Sequence, residues 1–191
     1  DYGYGAPASA SFALNGSLDV AAGATLQSLG AQVTITPQGA ATLNLPGTLA
    51  VSGPGSSLTL NPGTLLPAMG GLVIGDYGVA VIAGSASAGA FDSLSSGSLS
   101  ITAGTLELLA GAASLKGTVN IAGGATLRRT AGLVNNGLLG GAGTVDVGTG
   151  TLSNLGTLAP GGLDTAGRMT MAGNVSLGTL STLLMDVGGT L

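Results

Sequence analysis

The chain contains no cysteine, no histidine and no tryptophan. Without cysteine there are no disulfides and no thiolate metal sites, so its 191 residues must be held by their core and by backbone hydrogen bonds. That usage fits bacterial export better than eukaryotic secretion. Without histidine, imidazole acid/base catalysis, histidine-containing triads and histidine metal sites all fall away. Charge is scarce too: four Lys/Arg and eight Asp/Glu make 6% of the residues, against about 25% in ordinary soluble domains. Lys116, Arg128, Arg129 and Arg168 are the only basic residues and the net charge is −4, which leaves no phosphate-binding stripe and sets nucleic acid aside. Although the mean hydropathy is positive, no run of about 18 apolar residues occurs. The most apolar window, residues 71–90, is interrupted by Gly75, Asp76, Tyr77 and Gly78, so no transmembrane segment is expected.

What the chain has in abundance is glycine, 37 residues spread throughout, which excludes long regular helices and calls for many turns. Between the glycines, small polar and aliphatic residues alternate with the two-residue period of a half-buried strand. One series comprises Gly16-Ser-Leu18-Asp-Val20, Gln32-Val33-Thr-Ile35, Gly47-Thr-Leu49-Ala-Val51, Gly97-Ser-Leu99-Ser-Ile101, Gly117-Thr-Val119-Asn-Ile121, Gly143-Thr-Val145-Asp-Val147 and Gly167-Arg-Met169-Thr-Met171. A second series lies between its members, as in Gly23-Ala-Thr-Leu26, Gly104-Thr-Leu106-Glu-Leu108 and Gly124-Ala-Thr-Leu127. Two alternating strand types are therefore expected. Except between Gly47 and Gly97, the first series recurs every 15 to 27 residues or so, in the range of solenoid repeats. In a parallel β-helix, inward Leu, Val and Ile of neighbouring coils stack while Thr, Ser, Asp and Asn meet water. Asn135-Asn136-Gly137, Asn61-Pro62-Gly63 and Gly53-Pro54-Gly55 are the expected corners, glycine and asparagine supplying positive φ. Antiparallel sandwiches and barrels use similar strands, but strong hairpin chemistry occurs only at Asn15-Gly16 and Asn136-Gly137, and five aromatics are few for such a core. A disordered low-complexity chain would lack the steady register of Leu, Val and Ile.

Residues 156–189, from Gly156-Thr-Leu-Ala-Pro160-Gly-Gly through Gly173-Asn174-Val to Asp186-Val-Gly-Gly, resemble the passenger domains of bacterial autotransporters and related filamentous-haemagglutinin-like surface proteins. The stretch from Asn135-Asn136-Gly to Thr144-Val145 resembles another coil motif of that family. The resemblance covers residues 113–191 best and the earlier part by general pattern. It implies an all-β, right-handed parallel β-helix, a fragment of a longer chain, carried outside the cell at the bacterial surface and acting in adhesion, aggregation or biofilm formation. Neither a translocator barrel after Leu191 nor a signal peptide before Asp1 is visible in this sequence, which reads as an excised or processed piece. Residues 1–12, with Tyr2 and Tyr4, are expected to form a flexible or junctional segment and residues 13–191 the coils.

Chemistry-bearing residues are few. Asp19, Asp76, Asp92, Glu107, Asp146, Asp164 and Asp186 are scattered singly, although residues such as Asp146 and Lys116 or Asp164 could meet by stacking of adjacent coils. Each reads first as a solvated surface carboxylate. Gly140-Gly-Ala-Gly-Thr-Val-Asp146 resembles the calcium-binding nonapeptide repeat, but it carries one residue too many before its Asp and is not repeated, so a Gly-rich corner is the preferred reading. No glycine motif matches a nucleotide-binding loop. Arg128-Arg129 follows Gly-Ala-Thr-Leu127, and the strand is expected to end there, since otherwise one arginine would face inward. Asn15-Gly-Ser17 and Asn174-Val-Ser176 match the glycosylation acceptor pattern by chance composition. Threonines such as Thr34 and Thr36 form no regular array of the kind that binds ice. The expected function is thus a structural or adhesive surface element without catalytic, cofactor or metal site, whose partners are its own copies or host and cell-surface ligands. The alternative is a carbohydrate-active or glycan-binding β-helix, with Lys116, Arg128 and Arg129 as the glycan contacts.

Overall fold

In the computed structural model, which describes residues 8–14, 16–109 and 113–186, the chain is all-β and winds as a parallel solenoid of about eight turns. No helix occurs among the described residues, and so none is long and apolar enough to cross a membrane. In chain order the strands begin with β1 (Ala8–Leu14), β2 (Ser17–Asp19), β3 (Thr25–Leu29), β4 (Ala31–Pro37), β5 (Thr42–Ser52), β6 (Ser57–Leu60) and β7 (Ala68–Ile74). They continue with β8 (Val79–Ala83), β9 (Ala86–Ser93), β10 (Ser98–Ala103), β11 (Thr105–Leu108), β12 (Ser114–Leu115), β13 (Thr118–Ile121) and β14 (Thr126–Arg128). The last are β15 (Leu133–Asn135), β16 (Leu138–Gly141), β17 (Thr144–Asn154), β18 (Thr157–Pro160), β19 (Thr170–Leu177) and β20 (Thr182–Leu183).

Each coil contributes to three faces. The first is a nine-stranded sheet in the order β1-β4-β6-β8-β10-β13-β16-β18-β20. The second and third belong to one continuous set because some strands bend between them. In β5, residues 42–44 pair with β2 and residues 48–52 with β3. In β17, residues 144–146 pair with β14 and residues 152–154 with β15. Coils advance by 18 to 26 residues, Arg128 lying opposite Asp146 and Thr144 opposite Thr170. The two strand types read from the sequence do not map onto two faces. Residues 117–121 lie on the first face, 143–147 lead into the second, and 47–51 form the third. Alternation reports which side chains point inward; it carries no information on which side of the coil a strand occupies.

The alternation itself sets the core. In β13, Thr118 and Asn120 are exposed while Val119 and Ile121 are buried. In β17, Val145 and Val147 are buried and Asp146 faces out, half-buried. A slip of one residue would exchange the two sets, so register is strongly specified. Up the first face, Leu58, Ala80, Leu99, Val119, Leu139 and Leu158 stack in register, each at most 5% exposed. At the end of the third face the inward position turns polar at Ser28, Ser93, Asn135 and Asn154, all buried. Asn135 Nδ2 donates to Asn154 Oδ1 at 2.6 Å and to the Thr157 carbonyl at 2.9 Å, and Asn135 Oδ1 accepts the Gly137 N–H. Ser28 Oγ donates to the Ala31 carbonyl at 2.7 Å. These side chains bond the backbone where the chain turns from the third face to the first, so that their burial costs little.

Gly53, Gly55 and Gly63 take positive φ at the expected corners. Gly137 does not, and its requirement is of another kind. Gly97, Gly117, Gly137 and Gly156 stack at one corner, and a Cβ on any of the last three would overlap the carbonyl oxygen of the glycine one coil below. The coils approach there too closely for any side chain. The solenoid also begins earlier than residue 13, because β1 pairs along its whole length with β4 from Ala8 onward. Residues 1–7, with Tyr2 and Tyr4, and the acceptor Asn15 lie outside the described residues.

Candidate functional site

The second face carries the densest chemistry among the described residues. Parallel register sets Glu107 of β11 opposite Arg128 of β14, and Arg128 opposite Asp146 of β17. Beneath them Leu106, Leu127 and Val145 stack in the core, which fixes the outward direction of the three charged residues. Arg128 Nε stands 3.4 Å from Asp146 Oδ2 and 3.9 Å from Glu107 Oε1. Asp146 Oδ1 also accepts the Gly148 N–H at 3.0 Å, so this carboxylate is held from two sides. The Glu107 side chain, 39% exposed and at the longer distance, is the freer of the two carboxylates. Beside this charged column runs a second one, Thr105, Thr126, Thr144 and Thr170, in register across four coils. A groove of about 330 Å³ opens here, lined by Leu66, Ser85, Ala86, Ser87, Thr105, Glu107 and Arg128. Leu66, in the segment between β6 and β7, is largely exposed and gives the groove an apolar flank.

The three residues expected to contact glycans are not brought together as a set. Arg128 lines the groove on the second face. Arg129 does not extend the strand, as expected, yet it is buried at 7% exposure. Its Nε donates to the Gly132 carbonyl at 2.6 Å and its backbone N–H to the Asp146 carbonyl at 2.8 Å, which ties down the corner between the second and third faces. It lines a separate cavity of about 440 Å³ with Ser114, Leu133, Val134, Thr151 and Ser153 among its neighbours. Lys116 lines neither cavity. It follows β12 and its Nζ pairs with Asp92 Oδ1 at 3.2 Å. Asp146 meets Arg128, not Lys116 or Asp164 as coil stacking had suggested, because the register places β14 directly beneath β17.

Other carboxylates follow the same rule of meeting a polar group one coil away. Asp19 accepts from Asn44 Nδ2 at 3.0 Å, and Asp76 accepts the Ser96 hydroxyl at 2.9 Å. Among the described residues no group of three or more Asp and Glu converges as a metal site. Sequence reading missed Glu107 as the partner of Arg128, and it missed the threonine column. Both were recoverable by aligning Leu106, Leu127 and Val145, the inward residues of three successive motifs, since register then fixes what lies on either side. Compared with protein families, curated proteins and solved structures, the chain matches none. The class established is that of the fold, a parallel β-solenoid.

Proposed function

We propose that the protein is a structural and adhesive element exposed at a bacterial cell surface, a stiff rod that binds its own copies or surface ligands and performs no catalysis. The observation that carries this reading is the unbroken stacking of coils. A single inward column runs through the first face from Leu58 to Leu158, and about eight coils at roughly 4.8 Å give a rod of about 40 Å from this chain alone. Such a core resists bending, and it leaves outward positions free to vary. The resemblance of residues 113–191 to exported passenger domains supports the extracellular placement. Beads coated with the purified chain should cluster or attach to cell layers more than beads coated with an unrelated solenoid of equal size. Equal retention in both measurements would overturn the proposal.

A second reading, glycan binding, is favoured by the groove that holds Glu107 and Arg128. Carboxylate and guanidinium side by side offer an acceptor and a donor to neighbouring sugar hydroxyls, with Ser87 and Thr105 alongside. Titration with neutral and anionic hexasaccharides, followed by amide NMR, should move the signals of Ser87, Glu107 and Arg128. No movement at millimolar sugar would remove this reading.

A further inference from the structure

Charge is distributed unequally around the coil. The nine strands of the first face contain no Asp, Glu, Lys or Arg, whereas Asp19, Asp92, Glu107, Arg128 and Asp146 all lie in strands of the other two. Outward on the first face, Ser57, Val79 and Ser98 form one column and Thr59, Val81 and Ser100 the next, in uninterrupted parallel register. All six are short. Val79 is 36% exposed, and Val81 beside it is half-buried. At the β16 end the turn at Gly161 and Gly162 lies over Gly140, where an added Cβ would stand 3.5 Å from the Gly162 Cα. The open part of the sheet that is described therefore runs from β4 to β13.

We propose that this uncharged sheet is a self-association surface on which a second copy of the chain docks face to face, the two related by a two-fold axis. Bringing two such faces together removes no ion from water, the step that makes charged interfaces expensive. Apart from Gln32 and Asn120, the outward side chains of the open sheet are short Ser, Thr and Val, which lose little rotamer freedom when covered, and Val79 and Val81 supply an apolar centre. Five strands about 4.8 Å apart, of four to seven residues at about 3.3 Å each, give a footprint of roughly 400 Å² per copy and about 800 Å² in all. Stable pairs bury about 1,200–2,000 Å², so the association is reversible and dependent on concentration. Copies anchored side by side on one surface would meet at high effective concentration, which compensates for weak pairing. This inference is independent of what foreign ligand the rod holds.

The test is sedimentation of the whole chain from micromolar to millimolar concentration, at low and high salt. The unchanged protein should self-associate, with little response to salt. Val81→Lys places two cations in the symmetric interface and should weaken association by roughly tenfold or more, since each must be buried or the faces must part. Val79→Glu should do the same from the neighbouring column. Val73→Lys, on the third face, removes an equally exposed valine and should leave association intact. Circular dichroism checks that each variant folds, as outward positions allow. A strictly monomeric unchanged protein, or equal association in Val81→Lys, Val79→Glu and Val73→Lys, would overturn the proposal. Loss of pairing in Val81→Lys with adhesion to foreign surfaces retained would separate this interface from the adhesive role.

Discussion

Substituting Gly137 by alanine tests whether close approach of coils, and not turn conformation, makes glycine necessary at that corner. The added methyl would overlap the Gly117 carbonyl oxygen and come within 2.6 Å of the Lys116 carbonyl oxygen. Both obstacles are backbone, so no side chain can swing away, and the two coils must separate locally. Two hydrogen bonds join these coils at this point: Asn136 N–H to the Leu115 carbonyl at 2.8 Å and Leu138 N–H to the Gly117 carbonyl at 3.0 Å. At about 1 kcal/mol for each bond lost, and more where a buried group is left unpaired, the cost is about 2 to 4 kcal/mol. Two comparisons calibrate it. Gly124→Ala meets no atom within 4 Å but forces alanine into φ +83°, which costs about 1–2 kcal/mol. Gly16→Ala meets neither obstacle and should be neutral or gain about 0.4–1 kcal/mol by restricting the unfolded chain. Urea unfolding of the three variants should rank them in that order. Because a solenoid couples mainly neighbouring coils, amide exchange in Gly137→Ala should accelerate at Leu138 and Thr157 and stay unchanged at Val79. An unfolding midpoint for Gly137→Ala equal to that of the unchanged protein would refute the reasoning.

Three further outcomes are expected. Val145→Asp, at a site 1% exposed between Leu127 and Met171, buries a carboxylate without a partner and should cost several kcal/mol in urea unfolding; an unchanged midpoint would show that the register is wrong. Asn135→Ala leaves the Thr157 carbonyl without its side-chain donor and should cost about 2–4 kcal/mol, whereas adding Asn154→Ala should cost less than the two single changes together, as a double-mutant cycle would read. Arg128→Ala should change stability by less than about 1 kcal/mol, because its ion pairs stand half in water; a larger thermal loss would mean that the Glu107–Arg128–Asp146 column carries the fold.

The alternation in Thr118 to Ile121 made the β-solenoid legible, because burial of every second residue depends only on local order and on the existence of a core. The three-faced cross-section was not legible. Coils of 18 to 26 residues have no fixed period, and their length changes at corners such as residues 161–169, where the sequence carries no apolar register to count. For the same reason Glu107 and Arg128, 21 positions apart, looked like isolated charges. Arg129 misled in a different manner. The strand does end before it, yet its guanidinium is buried because the corner supplies the Gly132 carbonyl as an acceptor, a contact that no periodicity announces. Asn135 looked like a turn residue with positive φ and is instead an inward side chain bonded to the next coil.

The described strands run across the long axis, and the hydrogen bonds between them run along it. A pull on the two ends of the rod therefore loads those bonds lengthwise and a few at a time, so that coils detach from an end in succession instead of shearing together. Each detached coil releases 18 to 26 residues, roughly 60 to 90 Å of extended chain, before the next begins to carry load. Under tension the protein would lengthen in steps and absorb work at each one, while the coils not yet reached keep their core and their outward surfaces intact.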